Sequence, residues 1–220
     1  MLRKPKLICY DWDNTLVNTQ PVTLVSMNML YKKYNKPELT LQDIIKINGY
    51  YFADVFTATF GEKMTKQIQE EYQLLYDHYA QDMLQPIPYA LDTVKKMNEA
   101  GIKQIVISNK PSNIVRREAK KFYFAKYFDL IVGPTDCNSS KPNIEMFNYV
   151  VNKIEFKKTW YHPDKLWYFG DAGVDMEFAK KINARLFFFG SPSIIENFPT
   201  KRLMLIQAHS QLQSLEFNME

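Results

Sequence analysis

The apolar positions at the start of the chain form a short unbroken run, Leu7-Ile8-Cys9-Tyr10, which stops at Asp11-Trp12-Asp13-Asn14-Thr15. A run that is apolar at every position predicts a strand buried on both faces. After Thr15 the period changes. Leu24, Met27, Leu30, Tyr31 and Tyr34 recur at three- and four-residue spacing as far as Asn35-Lys36-Pro37, which predicts a helix. Helical periods continue over 41–47, 52–60 and 62–84, punctuated by Asn48-Gly49 and Gly61, and no strand-like run interrupts them. Pro86 and Pro88 then mark a boundary. From residue 90 onward helix and strand patterns alternate. A helix over 91–98 ends at Gly101, a strand over 104–107 runs into Ser108-Asn109-Lys110-Pro111, and a helix follows to about Tyr123. A strand over 130–132, a helix over 143–153, a strand over 166–169, a helix over 174–182 and a strand over 186–189 come next. A last strand near 203–206 and a terminal helix close the pattern. Continuous apolar strands separated by helices predict an α/β fold with a parallel sheet covered on both faces and right-handed crossovers.

A strand that only filled a core would not finish on two aspartates, because burying unpaired charge costs several kcal/mol. Chemistry or a cation explains Asp11 and Asp13 better, while an Asx-type turn is the plainer alternative. The second predicted strand ends in Ser108-Asn109 and the fourth in Gly170-Asp171-Ala172-Gly173-Val174-Asp175, and Ser139-Ser140-Lys141-Pro142 lies just ahead of a helix, with Pro142 suited to its first turn. Taken singly, these are a helix cap, a solvated lysine and surface acids around a turn. Together they fall at the carboxyl rim, where α/β sheets hold ligands. Asp11, Asp13, Asp171 and Asp175 would crowd four negative charges into one crevice, which demands a counter-ion, most simply Mg²⁺ with its preference for oxygen ligands. Lys141 adds a fixed positive charge, and the Ser108 hydroxyl and nearby backbone N–H groups can donate to anionic oxygens. A cation, a lysine and oriented donors make a phosphate site, beside which a carboxylate can act as nucleophile and form an aspartyl-phosphate.

These four clusters, in this order and spacing, resemble the four motifs of the haloacid dehalogenase superfamily: DxDxT after an apolar strand, a strand-end Ser or Thr, a Lys before a helix, and GDxxxD. The stretch Gly101-Ile102-Lys103-Gln104-Ile105-Val106-Ile107-Ser108-Asn109-Lys110-Pro111 is similar to the corresponding part of phosphoglycolate phosphatase-like enzymes, which also insert an all-helical cap between the first and second motifs. The resemblance implies a Rossmann-like catalytic core over 1–16 and 86–220 and a helical cap over 17–85. It implies that Asp11 is nucleophile and Mg²⁺ ligand, and that Asp13 is general acid and then base, with its backbone carbonyl on the metal. Thr15 would hold the loop and, with Ser108, Asn109 and Lys141, bind the phosphoryl group; Lys141 would also neutralise charge developing there. Asp171 would ligate Mg²⁺, and Asp175 would support the metal or orient Lys141. The turn Asn48-Gly49-Tyr50 corresponds in position to the family's substrate-specificity loop, although Tyr50, Tyr51 and Phe52 could equally pack the cap's own core.

Three departures accompany the match: Asn14 and Tyr89 stand where Gly is commoner, and Ile144 replaces a second proline. Asn14 is tolerable because Asn accepts left-handed conformations. The implied activity is hydrolysis of a small phosphorylated metabolite, phosphoglycolate-like or a sugar phosphate. A sugar phosphomutase of the same superfamily is the alternative, and Thr15 stands where such mutases usually carry Val or Ile. Asp13 argues against a dehalogenase. A non-catalytic relative that binds a phospholigand or a partner is the alternative of another class, and the complete acid set weighs against it.

Composition narrows the remaining choices. The 220 residues are 46% hydrophobic and 24% charged, enough for a domain of about 150 residues with an insert, and no low-complexity tract occurs. Net charge is +4, but Lys and Arg are scattered among acids, so no nucleic-acid partner is expected. No apolar run approaches the roughly 18 residues of a membrane span. The basic start, Met1 to Lys6, leads into a run too short and too acidic for a secretory signal, so the expected place is the cytoplasm, as a monomer or homodimer. Cys9 and Cys137 form neither a zinc spacing nor a disulfide framework. His78, His162 and His209 have no ligand spacing, so no role is expected of them.

Overall fold

The leading apolar run is a strand, β1 (Leu7–Tyr10), buried at all four positions. Its side chains alternate between two cores: Ile8 and Tyr10 enter one, Leu7 and Cys9 the other. A strand that feeds two cores must lie inside a sheet covered on both sides. In this computed structural model, which describes residues 2–47, 52–192 and 199–218, that sheet has six strands. With β1 they are β2 (Lys103–Ile107), β3 (Leu130–Val132), β4 (Leu166–Gly170), β5 (Arg185–Phe188) and β6 (Leu203–Leu205). All pairings are parallel, in the order β3-β2-β1-β4-β5-β6. The order reverses direction beside β1, and such a switch point opens a crevice above the strand ends.

Helices α1 (Gln20–Lys33), α2 (Leu41–Ile47), α3 (Phe52–Phe60) and α4 (Thr65–Met83) form the inserted segment, which leaves and re-enters the core through an antiparallel pair, Val17–Asn18 with Gln85–Pro86. Two extra turns shape its entry and its middle. Asn14 adopts a positive φ of 59°, and its Oδ1 accepts the backbone N–H groups of Thr19 and Gln20 at 3.2 Å each, capping α1. Gly61, at φ 87°, starts a 3-10 turn, so the helix expected from residue 62 begins as α4 at Thr65.

Around the sheet run α5 (Ala90–Glu99), α6 (Ser112–Lys121), the short α7 (Pro134–Cys137), α8 (Glu145–Lys153) and α9 (Gly173–Lys181). Gly101 takes the left-handed conformation expected of a helix end, at φ 71°. Two expectations need correction. Pro142 is not in the first turn of α8, because the Asn143 side chain takes the Glu145 N–H at 3.1 Å and builds a turn ahead of the helix. The terminal helix is absent among the described residues. A 3-10 turn, His209–Leu212, buries Leu212, and Phe217–Asn218 then pairs in parallel with Leu2–Arg3. That pairing gives the backbone of Phe217–Asn218 a strand partner in place of helical bonds.

Candidate active site

The four clusters meet. β1, β2 and β4 end side by side and deliver Asp11, Ser108 and Asp171 to one rim, and the loop before α8 brings Lys141 between them. Lys141 is almost wholly enclosed, and its Nζ donates to Asp11 Oδ1 at 2.5 Å, Asp175 Oδ1 at 2.7 Å and the Tyr168 hydroxyl at 3.2 Å. Tyr168 donates in turn to Asp175 Oδ1 at 2.9 Å. Asp175 Oδ2 accepts the backbone N–H groups of Asp171 and Ala172 at 3.2 and 3.1 Å, so this acid ties the turn after β4 to the start of α9. Gly170 makes that tie possible: a Cβ there would lie 2.5 Å from that of Asp175. Gly190 serves similarly, since a Cβ would come 2.0 Å from the Asp171 carbonyl oxygen.

Asp11, Asp171 and Asp175 each offer a carboxylate oxygen, and the three lie within 4.8 Å of one another. Such oxygens suit a hard divalent cation. The Asp11 carboxyl is held up at about 7: burial raises it most, the Lys141 ammonium opposes that rise, and the charges of Asp175 and Asp13 add to it. Burial alone would lower Lys141, but Asp11 and Asp175 outweigh it and hold the ammonium above the ordinary lysine range. The donor set therefore fits a bound cation: three acids lie together, and the one lysine among them bonds only Asp11 and Asp175.

Two of the expected site residues have partners within the site. Asn109 Nδ2 donates to the Lys141 carbonyl at 3.1 Å and its Oδ1 accepts the Lys141 N–H at 2.6 Å, so this amide clasps the lysine loop. Thr15 is fully buried and its hydroxyl donates to Asp171 Oδ1 at 3.3 Å, so it orients an acid. Asp13 lines, with Asp11, a cavity of about 330 Å³ between the strand ends and α1–α4. Ser108 lines the same cavity, with its Oγ accepting the Lys110 N–H at 3.1 Å. Asn48, Gly49 and Tyr50 lie outside the described residues.

A family model described as haloacid dehalogenase-like hydrolase matches residues 8–189. The chain belongs to that family. Among curated relatives of this hydrolase, a phosphoglycolate phosphatase of Vibrio vulnificus is 24% identical, covering 83% of this chain and 82% of its own. A pyrophosphatase PpaX of Halalkalibacterium halodurans is 24% identical over 69% of this chain and 70% of its own. A solved structure from Clostridium acetobutylicum, described as a predicted phosphatase, superposes with a TM-score of 0.80 at 19% identity, covering 98% of this chain and all of its own, which shows a shared fold. Haloacid dehalogenase-like phosphatases are enzymes, and this chain is one of that group, a phosphoric monoester hydrolase.

Sequence patterns missed a second charged network beside the first. Lys110 Nζ bonds Asp13 Oδ1 at 2.7 Å, Glu118 Oε2 at 3.0 Å and the Tyr76 hydroxyl at 2.8 Å. Glu118 also accepts Trp12 Nε1–H at 2.6 Å and the Tyr76 hydroxyl at 3.0 Å. Tyr76 lies on α4, so this network pins the inserted helices to an acid that lines the cavity. A signal was available: Ile114, Val115, Glu118 and Ala119 share one helical face, and a Glu among apolar positions needs a buried partner. Tyr168, inside an apolar strand, gave a similar cue, since a buried hydroxyl must be bonded. His209, of which nothing was expected, is fully buried with its Nε2 2.7 Å from the Thr15 carbonyl oxygen, and it stacks on Phe189 with centroids 4.4 Å apart. Its location in a segment with no periodic pattern left no cue.

Proposed function

We propose that this hydrolase is a Mg²⁺-dependent phosphomonoesterase with Asp11 as nucleophile, acting on a small phosphorylated metabolite. The observation that supports it most is the convergence of the Asp11, Asp171 and Asp175 carboxylates, with Lys141 bonded to Asp11 and Asp175 and with Asp11 lining the cavity. Asp11, Asp171 and Asp175 would hold the cation, together with the Asp13 carbonyl. When bound, Mg²⁺ supplies positive charge that keeps Asp11 ionised despite its burial and balances the phosphoryl oxygens.

The residues of this chain then divide the work. An Asp11 oxygen attacks phosphorus and the bond to the leaving oxygen breaks, giving an aspartyl-phosphate on Asp11. Asp13, which lines the cavity, gives its proton to that leaving oxygen and then takes one from water. That water attacks phosphorus, inorganic phosphate leaves, and Asp11 is restored. Lys141 and the Ser108 hydroxyl bind the phosphoryl oxygens, and Asn109 and Thr15 keep Lys141 and Asp171 in place. Residues 17–85 act as a cap that covers the reacting centre and keeps bulk solvent from it.

Phosphate release is the test. Chelation by EDTA should silence it, Mg²⁺ should restore it, and Ca²⁺, with its larger and looser shell, should restore it poorly. Asp171→Ala should behave like the chelated enzyme. Full activity after rigorous chelation would overturn the metal-dependent reading.

A further inference from the structure

The wall opposite the acid cluster carries the information about the leaving group. Ile44 and Ile47 of α2, Phe52 and Phe56 of α3, and Tyr72 of α4 line it. Phe52 and Phe56 stand edge-on or tilted to Tyr72, with ring centroids 5.1 and 5.3 Å apart, so the three rings form one continuous aromatic surface. Among the described lining residues Lys110 is the only cation, and it already faces both Asp13 and Glu118. The polar groups that reach the wall from α4, Gln69 and Gln73, are neutral amides, and Gln73 is engaged with Asp77 at 2.8 Å.

A leaving group with a carboxylate or a second phosphate would therefore meet aromatic carbon and a lysine that two acids already neutralise. An unpaired anion is expensive in such surroundings, whereas rings pack well edge-to-face on other rings. A polyhydroxylated sugar would find partners at Gln20 and Thr23 of α1, but against the ring wall it would leave hydroxyl groups facing aromatic carbon. A cavity of about 330 Å³ also exceeds what a two-carbon acid can fill. Resting on the phosphatase reading above, we infer that the preferred substrate is the phosphate monoester of a primary alcohol bearing an uncharged, ring-containing, largely apolar body.

The test compares three esters of primary alcohols, benzyl phosphate, 2-phosphoglycolate and glucose 6-phosphate, and one phosphoric anhydride, inorganic pyrophosphate, each assayed for phosphate release with Mg²⁺ and the wild-type enzyme. Benzyl phosphate should exceed each of the others by at least tenfold in kcat/KM. Gln69→Arg, which puts a cation on the wall, should move the ratio of benzyl phosphate to 2-phosphoglycolate at least tenfold toward the acid. A preference below tenfold over any of the other three, with turnover intact, overturns the inference and leaves the phosphatase reading standing. No hydrolysis of any of the four overturns both.

Discussion

Lys110 shows how much of a site can hang on one side chain. It lies between Asp13 and Glu118, with its ammonium 4.6 Å from the Tyr76 ring centroid, and only 11% of its side chain is exposed. Burial alone would lower its pKa, but the two carboxylates more than reverse that, so it stays charged. Removing one partner of such a group leaves the others uncompensated. Lys110→Met should lower unfolding stability by about 3 kcal/mol, measured by urea denaturation, and the double change Lys110→Met with Glu118→Gln should recover part of the loss. A single variant as stable as wild type would show that the network contributes nothing to the fold. The residue was visible in the sequence only as part of a motif. Of its partners only Glu118 is near, while Asp13 is 97 positions away and Tyr76 is 34 away, and nothing local encodes those two pairings.

At the scale of elements, the turn from β4 to α9 works because its glycine lets two backbone N–H groups close on Asp175. Gly170→Ala should force Asp175 off its position. The expected result is at least a tenfold fall in phosphate release at saturating substrate, with a weaker Mg²⁺ midpoint in a metal titration. Wild-type values on both would mean the close approach is relieved elsewhere. This turn was legible only in company: by itself it reads as surface acids around a turn, and it gained meaning because the other polar clusters fall at the same strand ends. Asn14 combines a left-handed backbone, which its residue type accepts, with a helix cap. Starts of helices were less legible. Pro142 satisfied a local preference for the first turn of α8, and Asn143 overrode it with a bond of its own. The final segment failed as a helix for a different reason, since Phe217–Asn218 takes a strand partner at the other end of the chain.

Across the whole molecule, alternating helix and strand text made the parallel sheet legible, but not its order, because order depends on which crossovers pack, not on any one segment. Nor could sequence reveal that the chain's far end supports its first loop through His209. Burial lowers the His209 pKa to about 4, a shift that the bond to Thr15 only partly opposes. Because the folded value lies below the unfolded one of about 6.5, the unfolded chain takes up the proton first as pH falls, so this stability is present above about 6.5 and is lost on the way down to about 4. The loss should approach about 3 kcal/mol, and His209→Gln should flatten the slope of urea midpoints between about pH 7 and pH 4.5. An unchanged slope would show that carboxylates alone set the acid limit. The assembly of strand ends, acids and lysine nevertheless rests on one residue. Asp11→Asn keeps the shape of the side chain and removes its ability to attack phosphorus, so the most direct measurement is kcat for phosphate release by this variant, freed of contaminating phosphatase and shown to be folded by circular dichroism. The account expects a fall of at least about 10³-fold. Turnover within tenfold of wild type would contradict it.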